Sequence, residues 1–183
     1  GDGGTDSTSG NTVFGYLAGT AIASGGFANT ILGHKAGTAI TTGDGNVVIG
    51  SYAGDLMTTS GFNVLIGRES GTAIAASQTT TDGTVAIGYA SLAALTSGAG
   101  NTAVGTSAMA GETDGDYSTA VGHSALNSLT GIGGTAGNTA VGFWSLKLLT
   151  VGTANTAIGY QAMTSASLGE NSNVAIGNLA MSA

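Results

Sequence analysis

The chain has 183 residues, with 34 Gly, no Pro, no Cys, 7% charged residues and a formal net charge of −7. Because 42% of its residues are hydrophobic, it is not a disordered linker, a class of segment that lacks apolar residues. Its three basic residues cannot form the basic surface that nucleic acid requires, and no apolar run is long enough to cross a bilayer. We therefore expect neither nucleic acid nor a membrane as a partner.

A five-residue motif of the type Asn-Thr-Ala-Val-Gly recurs ten times along the chain at nearly regular intervals. Such a period indicates a repeat architecture. We number the positions of each unit from its first residue and the units from 1 to 10. The units begin at Asn11, Asn29, Asn46, Asn63, Thr84, Asn101, Ser118, Asn138, Asn155 and Asn173.

Each unit predicts one coil of a solenoid. Positions 2 to 4 are β-branched, small or large apolar residues and predict a short strand, which the Gly at position 5 ends. Apolar residues at positions 9 and 12 predict a second short strand, and a Gly/Ser/Thr/Asp loop follows. The expected fold is all-β: a parallel β-solenoid (β-roll or β-helix) of about ten 17-residue coils, stacked about 4.8 Å apart. Residues 1–10 are expected to form an N-terminal segment or partial coil, and residues 11–183 the solenoid domain.

Two positional patterns predict contacts between or within coils. Eight units begin with Asn, whose side-chain amides are expected to stack into a structural ladder. In units 1 to 4, position 3 is Val, Ile or Leu and position 9 is Gly, whereas in units 5 to 10 position 3 is Ala and position 9 is Leu or Met. This swap conserves volume, as two side chains sharing one close-packed site must. The ladder residues are Asn11, Asn29, Asn46, Asn63, Asn101, Asn138, Asn155 and Asn173.

Position 4 is large and apolar in all ten units, and its side chain must point away from that of position 3. We expect both positions to be buried, so that Ile158, for example, lies in a stacked apolar column. One face of the strand then packs inside its own coil, and the other against the second half of the coil or another chain. A coil of two short strands is thin for a free-standing core, which favours a homo-oligomer around a common axis, with three chains as the first expectation.

The motifs resemble two known groups. Asn155-Thr-Ala-Ile-Gly159 followed by Tyr160-Gln-Ala-Met163 is similar to repeats of phage tail-fibre proteins. Thr84-Val-Ala-Ile-Gly88 and Asn173-Val-Ala-Ile-Gly177 resemble the head repeats of YadA-like trimeric autotransporter adhesins, which are left-handed parallel β-rolls. The resemblance extends over nearly the whole chain, from the first unit to the last. It implies a trimeric fibre on a virion or cell surface, although the unit is longer than the usual adhesin unit.

Exposed aromatic residues at positions 6 and 7 are the first binding candidates. Phe143 and Tyr160 share position 6 of adjacent coils, with Trp144 and Lys147 nearby, and such a platform suits sugar rings of a host surface glycan. The alternative is aromatic packing at a subunit contact. Insertions in two units predict surface loops, which often carry binding residues. The candidate binding residues are Tyr89, Phe143, Trp144, Lys147, Tyr160, Gln78 and Thr80.

Other chemistry-bearing residues do not form a convincing catalytic or metal site. Gly122-His-Ser124 resembles a nucleophile elbow, but other units place Thr106-Ser107 and Phe143-Trp144 at the positions of His123 and Ser124. Glu112-Thr-Asp-Gly-Asp116 gathers three carboxylates that could hold a hard cation; solvated loop charge is the favoured alternative, because the spacing matches no complete calcium loop. We expect no catalytic residue, no metal and no cofactor.

The expected function is that of a non-enzymatic fibre protein, the shaft or head of a trimeric phage tail fibre or surface adhesin that presents loops for host attachment. Its main partner is then itself. One alternative is a subunit of an extracellular filament that stacks end to end. A weaker alternative is a glycan-cleaving tailspike, in which carboxylates pair across coils. A virion or extracellular location follows from the resemblance and is compatible with the absence of Cys.

Overall fold

The protein is described by a computed structural model, which covers residues 10–22, 25–74, 83–130, 133–165 and 170–182. Within these ranges all regular structure is β. Ten of the twelve strands are the three-residue segments at positions 2 to 4 of the ten units, and two are two-residue strands in loops. The strands are β1 Thr12–Phe14, β2 Thr30–Leu32, β3 Val47–Ile49, β4 Val64–Ile66, β5 Val85–Ile87, β6 Thr102–Val104, β7 Gly115–Asp116, β8 Thr119–Val121, β9 Gly134–Thr135, β10 Thr139–Val141, β11 Thr156–Ile158 and β12 Val174–Ile176.

The ten unit strands form one parallel sheet in chain order, β1 to β6 followed by β8, β10, β11 and β12. Each residue pairs with the residue at the same position of the next unit, as Thr12 does with Thr30 and Val141 with Ile158. The loop strands β7 and β9 form a separate parallel pair. The predicted all-β parallel solenoid, with one strand of the main sheet in each sequence repeat, is therefore confirmed.

Glycine at position 5 is required both by backbone conformation and by the close approach of neighbouring coils. Gly88 has φ 133° and Gly105 has φ 135°, a region that residues with a Cβ avoid. A Cβ added at Gly88 would lie 2.5 Å from the carbonyl oxygen of Gly105. The position-5 glycines thus form a column in which each coil rests on the backbone of the next.

The core lies between the strand and the second half of each coil. Position 3 points into it, because Ile31, Leu65 and Ala140 are buried. Position 8, which is Ala or Ser in all ten units, is buried in coils 1 to 9, for example at Ala53 and Ser91. Position 12 is also apolar and buried in most coils. Its buried apolar residues are Ile40, Met57, Ile74, Leu95, Leu129 and Leu149.

The single chain leaves position 4 uncovered, so the alternative in which the second half of the same coil packs on this face is wrong. Ile158 is 39% exposed and Phe14 is 71% exposed. The reason is the alternation of side chains along a strand: position 3 faces the core of its own coil, so position 4 faces away from it. The second half of the coil packs only on the position-3 side, and no part of the described chain covers the position-4 side.

The second strand predicted from positions 9 and 12 is also wrong, since no strand is formed among the described residues there, and in coils 1 to 9 the residues at positions 9 to 11 lie in turns. Positions 7 and 9 have left-handed backbone conformation in every coil, as at Trp144 (φ 60°) and Leu146 (φ 50°), and this breaks an extended conformation. The segment still bonds to its neighbours, since Leu146 N donates to the oxygen of Ala162 at 3.0 Å. Turns stacked by hydrogen bonds therefore replace a second sheet.

The paired volumes at positions 3 and 9 share one space, as predicted. A Cβ added at Gly54 would lie 2.8 Å from Leu65 Cδ1 and 3.5 Å from Val48 Cγ1, both position-3 side chains. In the later coils Leu92, Leu126 and Leu146 occupy position 9 and are fully buried opposite alanines. The swap thus reflects two side chains that fill one space inside the core.

The asparagine ladder forms, and most of its residues make two kinds of hydrogen bond, as Asn46 shows. Asn46 Nδ2 donates to Asn29 Oδ1 at 3.0 Å, which links neighbouring coils, and to Ser60 O at 3.0 Å, which closes its own coil. The backbone N–H of Asn46 donates to the same Asn29 oxygen at 2.9 Å. Thr84 and Ser118 interrupt the column, although their backbone N–H groups still donate to Asn63 Oδ1 and Asn101 Oδ1, both at 2.9 Å.

Candidate functional site

The outward face of the sheet, formed by positions 2 and 4 of the ten strands, is an apolar surface that runs the length of the rod. Position 2 is Thr or Val, and position 4 is Val, Ile, Leu or Phe. Position 4 is exposed in some coils and half-buried between its neighbours in others. The exposed residues are Phe14, Leu32, Val121, Ile158 and Ile176, and the half-buried ones are Ile49, Ile66, Ile87, Val104 and Val141.

Along one side of the outward face, positions 5 to 7 form what we call the turn edge, which carries two aromatic stacks. In coils 7 to 9 the Phe143 ring stacks on His123 at 5.4 Å and on Tyr160 at 5.5 Å between centroids. In coils 1 to 3 Tyr16 stacks on His34 at 5.4 Å, and Tyr52 meets His34 edge-on at 5.2 Å. Stacking of the coils thus brings into contact rings that are one full repeat apart in the sequence.

The structure brings together four of the predicted binding residues. Trp144 packs on Phe143 with centroids 4.6 Å apart, and Lys147 Nζ lies 3.7 Å from the centroid of the Trp144 ring. Tyr160 completes the group. Because Phe143 lies between His123 and Tyr160, both faces of its ring are covered within the stack, so a sugar ring could not lie flat on Phe143.

The other predicted binding residues lie elsewhere. Tyr89 belongs to coil 5 and is exposed, with the guanidinium of Arg68 5.8 Å from its ring centroid. Gln78 and Thr80 lie outside the described residues. Lys35 Nζ is 5.3 Å from the Tyr52 ring centroid, so each of the chain's three basic residues lies over an aromatic ring. Arg68 also pairs with Glu69 at 2.7 Å.

The carboxylates of Glu112, Asp114 and Asp116 do not converge on a common point. Glu112 is fully buried at position 12 of coil 6, and its Oε1 accepts hydrogen bonds from the backbone N–H groups of Thr113, Asp114 and Gly115 at 2.8 to 3.1 Å. Asp116 Oδ1 accepts from Ala99 N at 2.8 Å. These carboxylates therefore fix loops, and among the described residues no group of three His, Cys, Asp or Glu side chains is placed to hold a metal ion.

His123 and Ser124 are in contact, because Ser124 Oγ lies 3.1 Å from His123 Nδ1. The other parts of a hydrolase site are missing around this pair in the described structure. The backbone N–H of Ser124 donates to Thr106 O, and that of Ala125 donates to Gly122 O, so neither is free to stabilise an oxyanion. His123 instead packs on Phe143, so it contributes to the aromatic stack.

Two aromatic residues on the opposite side of the outward face were missed by sequence reasoning. Phe62 and Tyr117 occupy the position immediately before position 1, which we call position 0, and they are 71% and 62% exposed. A Cβ added at Gly45 would lie 3.0 Å from Phe62 Cδ1, and one added at Gly100 would lie 2.7 Å from Tyr117 Cδ1. Each ring therefore leans over the position-0 glycine of the preceding coil. The available signal was that position 0 is Gly in five units and aromatic in only these two.

Comparisons with known proteins identify no relative: no family model, no curated protein and no solved structure matches the chain. Among the described residues there is also no helix that is long and apolar enough to span a membrane. The functional argument therefore depends on the geometry of the solenoid itself.

Proposed function

We propose that the chain is a non-enzymatic segment of a homo-oligomeric fibre, in which copies pack side by side through the outward face of the sheet. The observation that carries this proposal is the uncovered apolar face at positions 2 and 4. Parallel sheets are normally covered on both faces, whereas this one is covered only on its position-3 side by its own coil.

The dimensions of the face support a second copy as its occupant. Ten strands about 4.8 Å apart give a length of about 48 Å. The outward face together with its two flanking edges, from position 0 to position 6, spans about 20 Å, so this side of the rod measures about 1,000 Å². A standard specific interface buries about 800 Å² per partner. A row of identical strands also matches a partner with the same repeat, which another copy of this chain provides.

The fibre role follows from the one-dimensional construction of the rod. Each coil is bonded to its neighbours by the strand pairing, the asparagine ladder and the stacked turns, so length increases by adding coils. The repeat resemblances support a role in a phage tail fibre or a trimeric surface adhesin, on a virion or cell surface. End-to-end stacking into a filament is the competing assembly.

Analytical ultracentrifugation tests the proposal directly. The wild-type chain should sediment as a discrete oligomer at micromolar concentration, with three copies as the first expectation. Val104→Asp places a charge in the middle of the outward face and should yield folded monomers, since burying an unpaired charge opposes association. The matched control, Ala110→Asp, changes the same coil at position 10, where coil 3 already has Asp55, and should remain oligomeric.

A wild-type monomer over the whole concentration range would refute side-by-side assembly. Species of unlimited length in electron micrographs would favour the end-to-end filament. Release of reducing ends from a bacterial surface polysaccharide would refute the non-enzymatic assignment.

A second candidate role is attachment to a host surface glycan at the turn edge. It is favoured by the cluster of Trp144, Lys147 and Tyr160, where a cation, a phenol and ring edges meet on one surface. Tyr160→Ala should then weaken binding of the oligomer to host cells, whereas Tyr89→Ala, which changes the same position in another coil, should not. Equal binding by wild type and Tyr160→Ala would exclude this cluster as the attachment site.

A further inference from the structure

On the two sides of the outward face, large and small side chains alternate in opposite patterns along the rod. The side opposite the turn edge, which we call the loop edge, is formed by position 0. This position is small in eight coils, where it is Gly, Ala or Ser. Phe62 and Tyr117 are the two protrusions in this column, and each leans over the glycine of the preceding coil. Their rings therefore lie at the level of Gly45 and Gly100, which belong to coils 3 and 6. Phe27 is also on this side, but one position farther from its strand.

The turn edge shows the opposite pattern. Position 6 carries a large side chain in coils 1, 2, 4, 5, 7, 8 and 9. It is small in coil 3, where it is Ser51, and in coil 6, where it is Thr106. Coil 10 has Asn178, of intermediate size. The position-6 column thus has two gaps, at the same two levels at which the loop edge has its protrusions. The gap at Thr106 is open, whereas the gap at Ser51 is bordered by the Tyr52 ring, which packs on His34.

We infer that these features set the register between copies: Phe62 and Tyr117 of one copy enter the gaps at Ser51 and Thr106 of its neighbour. The inference depends on the side-by-side assembly proposed above. When parallel rods face each other around an axis along their length, the loop edge of one copy meets the turn edge of the next. Cyclic symmetry allows no axial shift between them, and zero shift is the arrangement that fits both protrusions.

Without these protrusions, staggered assemblies would compete with the ring, because the rest of the face repeats in every coil. A slip by one coil, about 4.8 Å, would still place Val and Ile against Val and Ile, so the apolar columns alone specify register weakly. The protrusions are three coils apart, whereas the three smallest position-6 residues lie in coils 3, 6 and 10. A shift of one or two coils in either direction therefore drives both protruding rings against large side chains.

Filling a gap is the first test. Thr106→Tyr should weaken association at least 10-fold in sedimentation equilibrium, because the Tyr117 ring of the neighbour loses its space. The substitution is compatible with the fold, since Tyr16, Tyr89 and Tyr160 occupy the same position in other coils. The matched control Asn178→Tyr fills position 6 of coil 10, which faces no protrusion, and should leave the association constant unchanged.

Disulfide trapping is the second test, and it profits from the absence of native cysteine. Within one chain, residues 51 and 62 lie on opposite edges of the face, about 20 Å apart, which is too far for a disulfide. A chain carrying both Ser51→Cys and Phe62→Cys should therefore form covalent links between copies under mild oxidation. The mass of the closed product gives the number of copies in the ring.

The register control combines Phe62→Cys with Thr106→Cys, which lie two coils, or about 10 Å, apart along the rod. This chain should form at least 10-fold less covalent product than the chain with cysteines at 51 and 62. Equal trapping at both sites, or oligomers that never link 51 to 62, would overturn the register assignment while leaving side-by-side assembly intact. A wild-type monomer would overturn both.

Discussion

Coils 1 to 4 and coils 5 to 10 fill the same cross-section in two different ways. In the first block Val48 and Leu65 extend from position 3 into space left by glycines at position 9. In the second block alanines such as Ala140 leave that space to Leu146 and its equivalents, which enter it from the opposite wall. The strand pairing continues across the junction between β4 and β5 without a change of register.

The difference shows that the backbone, and not a particular side chain, is the conserved feature of the coil. Position 9 has φ 50° both at Gly54 and at Leu146. Glycine adopts this left-handed conformation without steric cost, whereas a leucine there is strained by about 1–2 kcal/mol. The second block accepts this strain because burying a leucine side chain contributes about 1.5–3 kcal/mol.

The largest expected effect concerns position 5, which both blocks share. Gly105→Ala should destabilise the rod by more than about 4 kcal/mol, since its Cβ would lie 2.5 Å from Gly122 O and φ is 135°. Gly177→Ala is the control, with φ 128° but no atom within 4 Å, and should cost about 1–3 kcal/mol for conformation alone. Urea denaturation measures both, and equal losses would show that coil stacking does not require glycine.

Exchanging the two packing solutions within one coil should have an intermediate effect. Ala140→Val alone overpacks coil 8 and should cost about 1–3 kcal/mol, because Leu146 fills the available space. Adding Leu146→Gly recreates the first-block pair and should recover part of this loss, helped by relief of the left-handed strain at φ 50°. A double-mutant cycle from thermal unfolding gives the coupling, and zero coupling would mean that positions 3 and 9 do not share one space.

Glu112 distinguishes coil 6 from its neighbours, which have Leu95 and Leu129 at the same position. Glu112→Leu should destabilise the chain by about 1–3 kcal/mol, because three backbone N–H groups lose their acceptor. Glu112→Gln retains a carbonyl oxygen and should cost less. Denaturant midpoints of the two variants provide the measurement, and a stabilising leucine would show that the apolar residue of the other coils is also preferred here.

The smallest expected effect is a pH dependence in the first block. Burial raises the pKa of Asp55, with Glu69 adding to the rise, while a backbone hydrogen bond and Lys35 oppose it. The fold therefore favours the protonated carboxyl. This contribution is complete below the unfolded pKa, about 3.9, and is lost as pH rises through the raised folded value. Asp55→Asn should thus stabilise the chain at pH 7 by up to about 0.5 kcal/mol.

The same variant should match wild type at pH 3, where both side chains are neutral. Denaturation midpoints at the two pH values provide the comparison. A larger gain at pH 3 than at pH 7 would contradict the assigned direction.

The sequence predicted the repeat features that depend on composition and spacing. The register, the buried Asn column and the volume swap all follow from one residue type recurring at one position, and stacking identical units leaves little freedom. The proximity of Phe143 to Tyr160 followed in the same way, since both occupy position 6 of adjacent coils.

The features that were mispredicted depend on which way a side chain points. Large apolar residues at both positions 3 and 4 do not reveal which face meets the core, and Ile158 was assigned to the buried side. The left-handed residues at positions 7 and 9 were hidden because Trp144 and Leu146 are not residue types that signal positive φ. A second strand was therefore expected where stacked turns occur, and the protruding rings of Phe62 and Tyr117 were not identified.

The asparagine ladder gives the rod a net dipole along its axis. Between coils the backbone amides alternate in direction, since Val47 N donates forward to Asn63 O whereas Gly50 N donates backward to Leu32 O, so their dipoles largely cancel. The side-chain amides do not alternate: Asn46 donates to Asn29, and Asn63 to Asn46. In every pair of adjacent asparagines the donor points toward coil 1, so these dipoles add along the axis. Parallel neighbours in an in-register bundle would therefore carry aligned dipoles, and the bundle as a whole would have a positive and a negative pole.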